Sequence, residues 1–130
     1  MKIPDYIKEI INNQELHTIC TASKDGHPNI VYVKFLKVYD DDKVLVANNK
    51  FHKTEQNLKE NPRMSFVVIE DKKAYQIKGS TETHTQVPVF DDTVSWVKEK
   101  RPDMYPKAGV LINVEEIYNG AEKIEESTKN

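Results

Sequence analysis

Residues 50 to 63 read KFHKTEQNLKENPR, and the first five bring Lys50, His52, Lys53 and Thr54 to the start of one helical stretch. A helix N-terminus already carries partial positive charge and unpaired backbone N–H groups, so cations there are unfavourable unless an anion is present. One reading makes Thr54 an ordinary N-cap, with Glu55, Gln56 and Asn57 as the first turn, Phe51 as a hydrophobic staple, and the lysines and His52 solvated. The other joins Lys53, the Thr54 hydroxyl and the free N–H groups into a cradle for phosphate. The pattern leaves both open, and only the second accounts for the cations.

Other chemistry finds little support. His17, His27, His52 and His84 include no pair at metal-ligand spacing, so no metal site is expected. Ser80, Ser95 and Cys20 stand in no motif of an activated nucleophile, and the four glycines form neither a dinucleotide fingerprint nor a P-loop. Gly79, inside IKGST, reads as a bulge or barrel corner, and a glycine there would also let backbone approach a flat ligand.

Composition bounds the rest. A chain of 130 residues fits one domain, and 19 basic against 21 acidic residues give a net charge of −2. That balance offers no case for nucleic acid or an anionic membrane, so any anion site must be local. The single cysteine, Cys20, excludes an internal disulfide framework and reads as a small core residue. No N-terminal stretch has a signal peptide's apolar core, and no run approaches the roughly 20 apolar residues of a membrane span, so a cytoplasmic protein is expected.

The elements that must hold the 50–54 cluster can be read from periodicity. Residues 4–12 place Tyr6, Ile7, Ile10 and Ile11 on one helical stripe. Strands are expected at 16–23, 29–39, 43–48, 63–70, 74–85 and 109–118, with turns at Asp25-Gly26, Asp40–Asp42 and Asp71–Lys73. A helix runs from Thr54 to Asn61-Pro62, and another covers 90–100 with Phe90, Val94 and Val97 at helical spacing. Six short strands joined mostly by tight turns indicate a mainly β fold, a six-stranded antiparallel barrel with peripheral helices. Residues 1–119 form this single domain, and 120–130 read as a polar tail with no need to be ordered. The 29–39 strand is apolar on both faces, which calls for cover outside the barrel, and a second copy would supply it.

In this order, the Asp25-Gly26 hairpin, the long apolar strand, VLVANNKFHKTEQNLKENPR, a further strand and YQIKGST resemble the FMN-binding split barrels of the pyridoxamine 5′-phosphate oxidase-like superfamily, nearest its small FMN-binding members. The resemblance runs from about Leu16 to Val114. It implies FMN as cofactor, its phosphate on Lys53 and Thr54 with His52 beside them. Backbone of Val31, Tyr32, Val33 and Lys34 would meet the ring and ribityl, and Ala47, Asn48, Asn49 and Lys50 would line the same cleft. It also implies a homodimer with flavin at the interface, where Tyr105 reaches the partner's ring from a position that carries tryptophan in the small members. No catalytic side chain is implied, because the flavin carries the chemistry.

The function expected is that of a flavoprotein in electron transfer, or in flavin-dependent reduction or oxidation of a small molecule. One alternative is a pyridoxamine 5′-phosphate oxidase-like oxidase, which needs a second anion site beside the flavin. The last arginine is Arg101, and the tail lacks the arginine and tryptophan of the vitamin-forming oxidases. The other alternative is a binding module for another cofactor, such as a deazaflavin.

Overall fold

The computed structural model describes residues 1–126. Its elements follow in the order α1 (Asp5–Asn13), β1 (His17–Ala22), β2 (Pro28–Val33), β3 (Leu36–Asp40), β4 (Lys43–Asn48), α2 (Lys53–Glu60), β5 (Arg63–Glu70), β6 (Lys73–His84), α3 (Val89–Lys100), β7 (Ala108–Asn119) and β8 (Glu122–Lys123). The strands make one antiparallel sheet in the order β2-β1-β5-β6-β7-β4-β3, with β8 added on β7. Consecutive strands β2 and β3 thus lie at opposite ends of the ladder. The sheet curls until these ends meet at Lys34-Phe35 and does not pair there, which makes it a mainly β split barrel.

Two expectations about strands change. The apolar run 29–39 is two strands: β2 pairs with β1, and β3 pairs with β4. Its two halves lie at opposite ends of the sheet. The segment after Gly120 is not free of the sheet: Gly120 takes φ +60°, β8 returns along β7, and the Ile124 N–H donates to the Ile117 carbonyl at 2.8 Å. The last residues of the tail, 127–130, lie outside the described residues.

The tight turns behave as their residues dictate. Gly26 has φ +86°, and Asp71 and Lys72 both have positive φ, as a two-residue hairpin loop with the sheet's twist requires. Gly79 sits at a register shift between β6 and β7, where a Cβ would come 2.0 Å from the Asn113 carbonyl oxygen, so the bulge admits no side chain.

Burial divides into two cores. Ile7, Ile10 and Ile11 of α1 close the barrel interior over Ile19, Val44, Val46, Phe66, Ile77 and Ile112. Outside the barrel, α3 lays Val89, Trp96 and Val97 against Phe35, Leu45, Ala47 and Leu111. The buried face of α3 is therefore Val89, Thr93, Trp96 and Val97 rather than one centred on Phe90 and Val94. Gly109 permits this close docking, since a Cβ there would meet the Thr93 hydroxyl at 2.2 Å. With its alternate faces in the two cores, β4 is buried along nearly its whole length.

One polar group in the barrel core stands apart. His17 is 2% exposed, lies edge-on to Phe66, and neither ring nitrogen has a hydrogen-bond partner. Burial pushes its pKa below the ordinary 6.5, opposed in part by the nearby Ile11 backbone, which reaches no good hydrogen-bond geometry. A depressed folded pKa means that the unfolded chain takes up the proton first as pH falls. The stability tied to neutral His17 is complete above about pH 6.5, the reference value for histidine, and is lost progressively below it. Urea unfolding of wild type and His17→Leu between pH 7.5 and 5 tests this. Wild type is expected to lose more stability than the variant below pH 6.5, and parallel curves would contradict a buried neutral His17.

Candidate cofactor cleft

The site begins with a strand that has a free side. As the end of the ladder, β2 pairs with β1 alone, so its other edge presents backbone N–H and C=O groups to whatever lies beside it. Its side chains alternate, with Asn29, Val31 and Val33 partly covered and Ile30 and Tyr32 68% and 69% exposed.

Facing this edge is the segment from β4 to α2, and Asn48 fixes its shape. Buried to 1% exposure, Asn48 accepts from the Phe51 N–H at 3.1 Å and donates to Glu55 Oε1 at 3.0 Å. Lys107 adds a backbone N–H to the Asn48 carbonyl at 2.7 Å and an ammonium to the Phe51 carbonyl at 3.0 Å. A loop held at four points in this way can present neighbouring groups at fixed positions.

The start of α2 differs from the sequence expectation. Thr54 is not the N-cap: α2 begins at Lys53, His52 occupies the cap position, and no side chain caps the helix. Thr54 lies in the first turn, 2% exposed, with its hydroxyl accepting from Asn29 Nδ2 of β2 at 3.3 Å. The first N–H of this end to reach a carbonyl is that of Gln56, on His52. An uncapped first turn leaves donors for another acceptor.

Between β2 and α2 lies a cleft of about 780 Å³. Lys34, Lys50, Lys53 and Arg101 line it together with His52, and no lining residue is acidic. Among the described residues Lys34, Lys50 and Lys53 pair with no carboxylate. Phe35, Phe51, Met104 and the β2 valines supply apolar wall. Asn49, also in the wall, has a side-chain oxygen shut off from solvent and without a hydrogen-bond partner. Volume, apolar wall, convergent cations and a partnerless acceptor suit an extended ligand that bears an anion at one end and hydroxyl or N–H donors elsewhere. A flavin mononucleotide has that chemistry, so the residues present fit the group.

Ten of the residues named from sequence meet here: Val31, Tyr32, Val33, Lys34, Ala47, Asn49, Lys50, His52, Lys53 and Thr54. Asn48 does not line the cleft but braces the loop that does. Tyr105 also lies outside its own chain's cleft, 62% exposed, beside Phe90 and under the Lys98 ammonium at 5.3 Å. Sequence reasoning missed Asn29, Ile30, Phe35, Phe51, Arg101 and Met104 as lining residues. Asn29 carried a signal, as a polar residue on the inward face of an apolar strand; Arg101 and Met104 arrive only through the docking of α3.

Fold and cleft together define a split barrel with a cation-lined ligand cleft at the free edge of a strand. The chain belongs to the pyridoxamine 5′-phosphate oxidase family, whose profile matches residues 3–120. It is similar to an uncharacterised protein of Methanocaldococcus jannaschii, 35% identical over 122 residues, which span 92% of this chain and 81% of that one. An FMN-binding protein of Nitratidesulfovibrio vulgaris is 28% identical over 99 residues, covering 68% of this chain and 80% of that one. Among solved structures, HupZ of Group A Streptococcus superposes with TM-score 0.84 at 24% identity, over 96% of this chain and 99% of that one. HutZ of Vibrio cholerae, described as a heme storage protein, superposes with TM-score 0.67 at 17% identity, over 92% and 95%. These two structures bear on the fold alone. No helix among the described residues is long and apolar enough to cross a membrane.

Proposed function

We propose that the chain binds FMN in the 780 Å³ cleft and works as a flavoprotein, in electron transfer or in the oxidation or reduction of a small molecule. The observation that carries this reading is the uncapped start of α2, where Lys53 and buried Thr54 open onto a cleft walled by the free edge of β2. Lys53, the Thr54 hydroxyl and the first-turn N–H groups would hold the phosphate, and β2 backbone with Asn49 would meet the ribityl and ring. Bound FMN supplies one- and two-electron chemistry, while the chain's residues bind it, orient it and shield one face from water. An oxidase of pyridoxamine 5′-phosphate type, or a module for a deazaflavin, would use the same cleft. A further reading places haem in the same cleft, its carboxylates on the cations and exposed His52 toward the iron.

A homodimer belongs to this proposal. Ile30, Tyr32, Val67 and Ile69 are exposed on the outer sheet face, and register sets Tyr32, Thr18 and Val67 side by side across β2, β1 and β5. Ile30 and Tyr32 also border the cleft, so a second copy seated on this face would both cover apolar surface and complete the site, with its Tyr105 toward the flavin. Sedimentation is expected to give about twice 15.1 kDa, and a monomer that binds FMN tightly would contradict the shared site.

The cofactor itself is tested by affinity ratios. Wild type is expected to prefer FMN to riboflavin by roughly ten- to a hundred-fold, the value of one charge-assisted phosphate contact. Lys53→Ala should bring that ratio toward unity while leaving apo stability nearly unchanged. Equal affinities in wild type, or a Soret band in place of flavin absorption in the purified protein, would overturn the FMN reading.

A further inference from the structure

A groove of about 250 Å³ lies between α1 and the turn that joins β5 to β6, and it shares no lining residue with the cofactor cleft. From α1 it takes Tyr6 and Glu9, one turn apart on the helix, and from the hairpin Glu70, Asp71, Lys73 and Tyr75. The Gln14 side-chain amide donates to the Ile69 carbonyl at 3.2 Å, which ties the end of the helix to the strand just before the turn. Asp71 and Lys72, both at positive φ, form the two-residue loop that holds the hairpin side of the groove in place.

Glu9, Glu70 and Asp71 face a single lysine, Lys73, and among the described residues none of the three acids takes part in an ion pair. Exposed acids alone are ordinary. Tyr75 is not: it is 5% exposed, and a tyrosine so buried normally gives its hydroxyl a partner. Among the described residues this hydroxyl makes no hydrogen bond, yet it is not shut off from solvent, so it is the open end of a buried side chain in the groove wall. The ring of Tyr6, itself 51% exposed, stands edge-on to it at 6.0 Å and 71°. Among the described residues no three of His, Cys, Asp and Glu lie close enough together to hold a metal ion, so these carboxylates suit a cation whose charges are set apart.

We propose that this groove binds a small alkyl diammonium ion, a compound of the diamine class. Three carboxylates against one ammonium leave two negative charges, which a dication matches, and the volume, below the roughly 300 Å³ of ordinary ligand pockets, calls for a compact molecule. Glu9, Glu70 and Asp71 neutralise the two ammonium groups, and the Tyr75 hydroxyl accepts one N–H. The Tyr6 ring covers the methylenes between the charges and adds a cation–π contact. A ligand seated there fastens α1, the helix that closes the barrel, to the β5–β6 hairpin. The assignment does not depend on the cofactor.

The test is calorimetric titration of the full chain, at one ionic strength, with putrescine, with the monocation butylamine, with the neutral isostere butanediol and with Mg²⁺. Putrescine is expected to bind saturably, about ten-fold or more tightly than butylamine or Mg²⁺, and butanediol is expected not to bind. The Glu70→Gln/Asp71→Asn double variant should weaken putrescine about ten-fold or more. Tyr75→Phe, which keeps the ring, should weaken it about ten-fold, the worth of one hydrogen bond to a charged group. Without putrescine both variants should unfold at the wild-type temperature, because asparagine accepts the positive φ at residue 71 and Tyr75→Phe removes a hydroxyl that has no partner. No saturable heat from putrescine, equal affinity for butylamine, butanediol or Mg²⁺, or unchanged putrescine affinity in the folded variants would each overturn the site.

Discussion

Phe35 and Leu36 are neighbours in an extended segment, yet both are buried, and in different cores. Phe35 meets Trp96 edge-to-face under α3, while Leu36 joins the barrel interior with Val44 and Val46. A regular strand sends successive side chains to opposite faces, so both can be buried only where each face has cover. At this point α3 covers the outside. Before it, the outward residues Ile30 and Tyr32 have no such cover. The segment therefore serves two ends of one sheet, β2 beside β1 and β3 beside β4, and the ladder stays open between them. The free edge of β2 and the cation-lined cleft beside it both depend on that opening.

Charge follows the same geometry. The chain is slightly acidic as a whole, with a net charge of −2, and several of its ion pairs lie away from the split: Lys8 with Asp41 at 2.8 Å, Arg63 with Glu115 at 2.7 Å. Around the opening, among the described residues, Lys34, Lys50 and Lys53 go without acidic partners, and no acidic residue lines the cleft. Exposed lysines in water hold little energy individually. Lysines gathered beside an uncapped helix end and a low-dielectric wall gain from an anion that meets several of them together.

Much of this was legible in the sequence, and the reasons for the rest are physical. Period-two runs and the Asp-Gly turn located the strands, and KFHKT located the cation-rich start of α2, since a cation excess at a helix start is unusual whatever the fold. The split of 29–39 was not legible. Apolar residues on both faces signal double cover, but whether a helix, a second copy or another end of the sheet provides it is a tertiary matter. Thr54 has a cap's residue type, yet its hydroxyl accepts from Asn29, a contact between elements 25 positions apart that no local pattern encodes. The face of α3 was misjudged because Thr93 reads as polar, whereas its hydroxyl returns to the Val89 carbonyl at 2.8 Å and its other side packs on Gly109. β8 carries too little apolar residue to announce itself, and it forms because Gly120 turns the chain back onto β7.

Residue-resolved amide hydrogen exchange with and without FMN tests the central claim most directly, since it reads the free edge of β2 and the open turn of α2 in one experiment. The expected result is FMN-dependent protection at Lys53, Thr54 and Glu55 and at those of Val31 to Lys34 whose amides face away from β1, with the β5–β6 ladder unchanged. Protection absent from both segments when FMN is bound, or confined to another part of the sheet, would contradict a cofactor held between them.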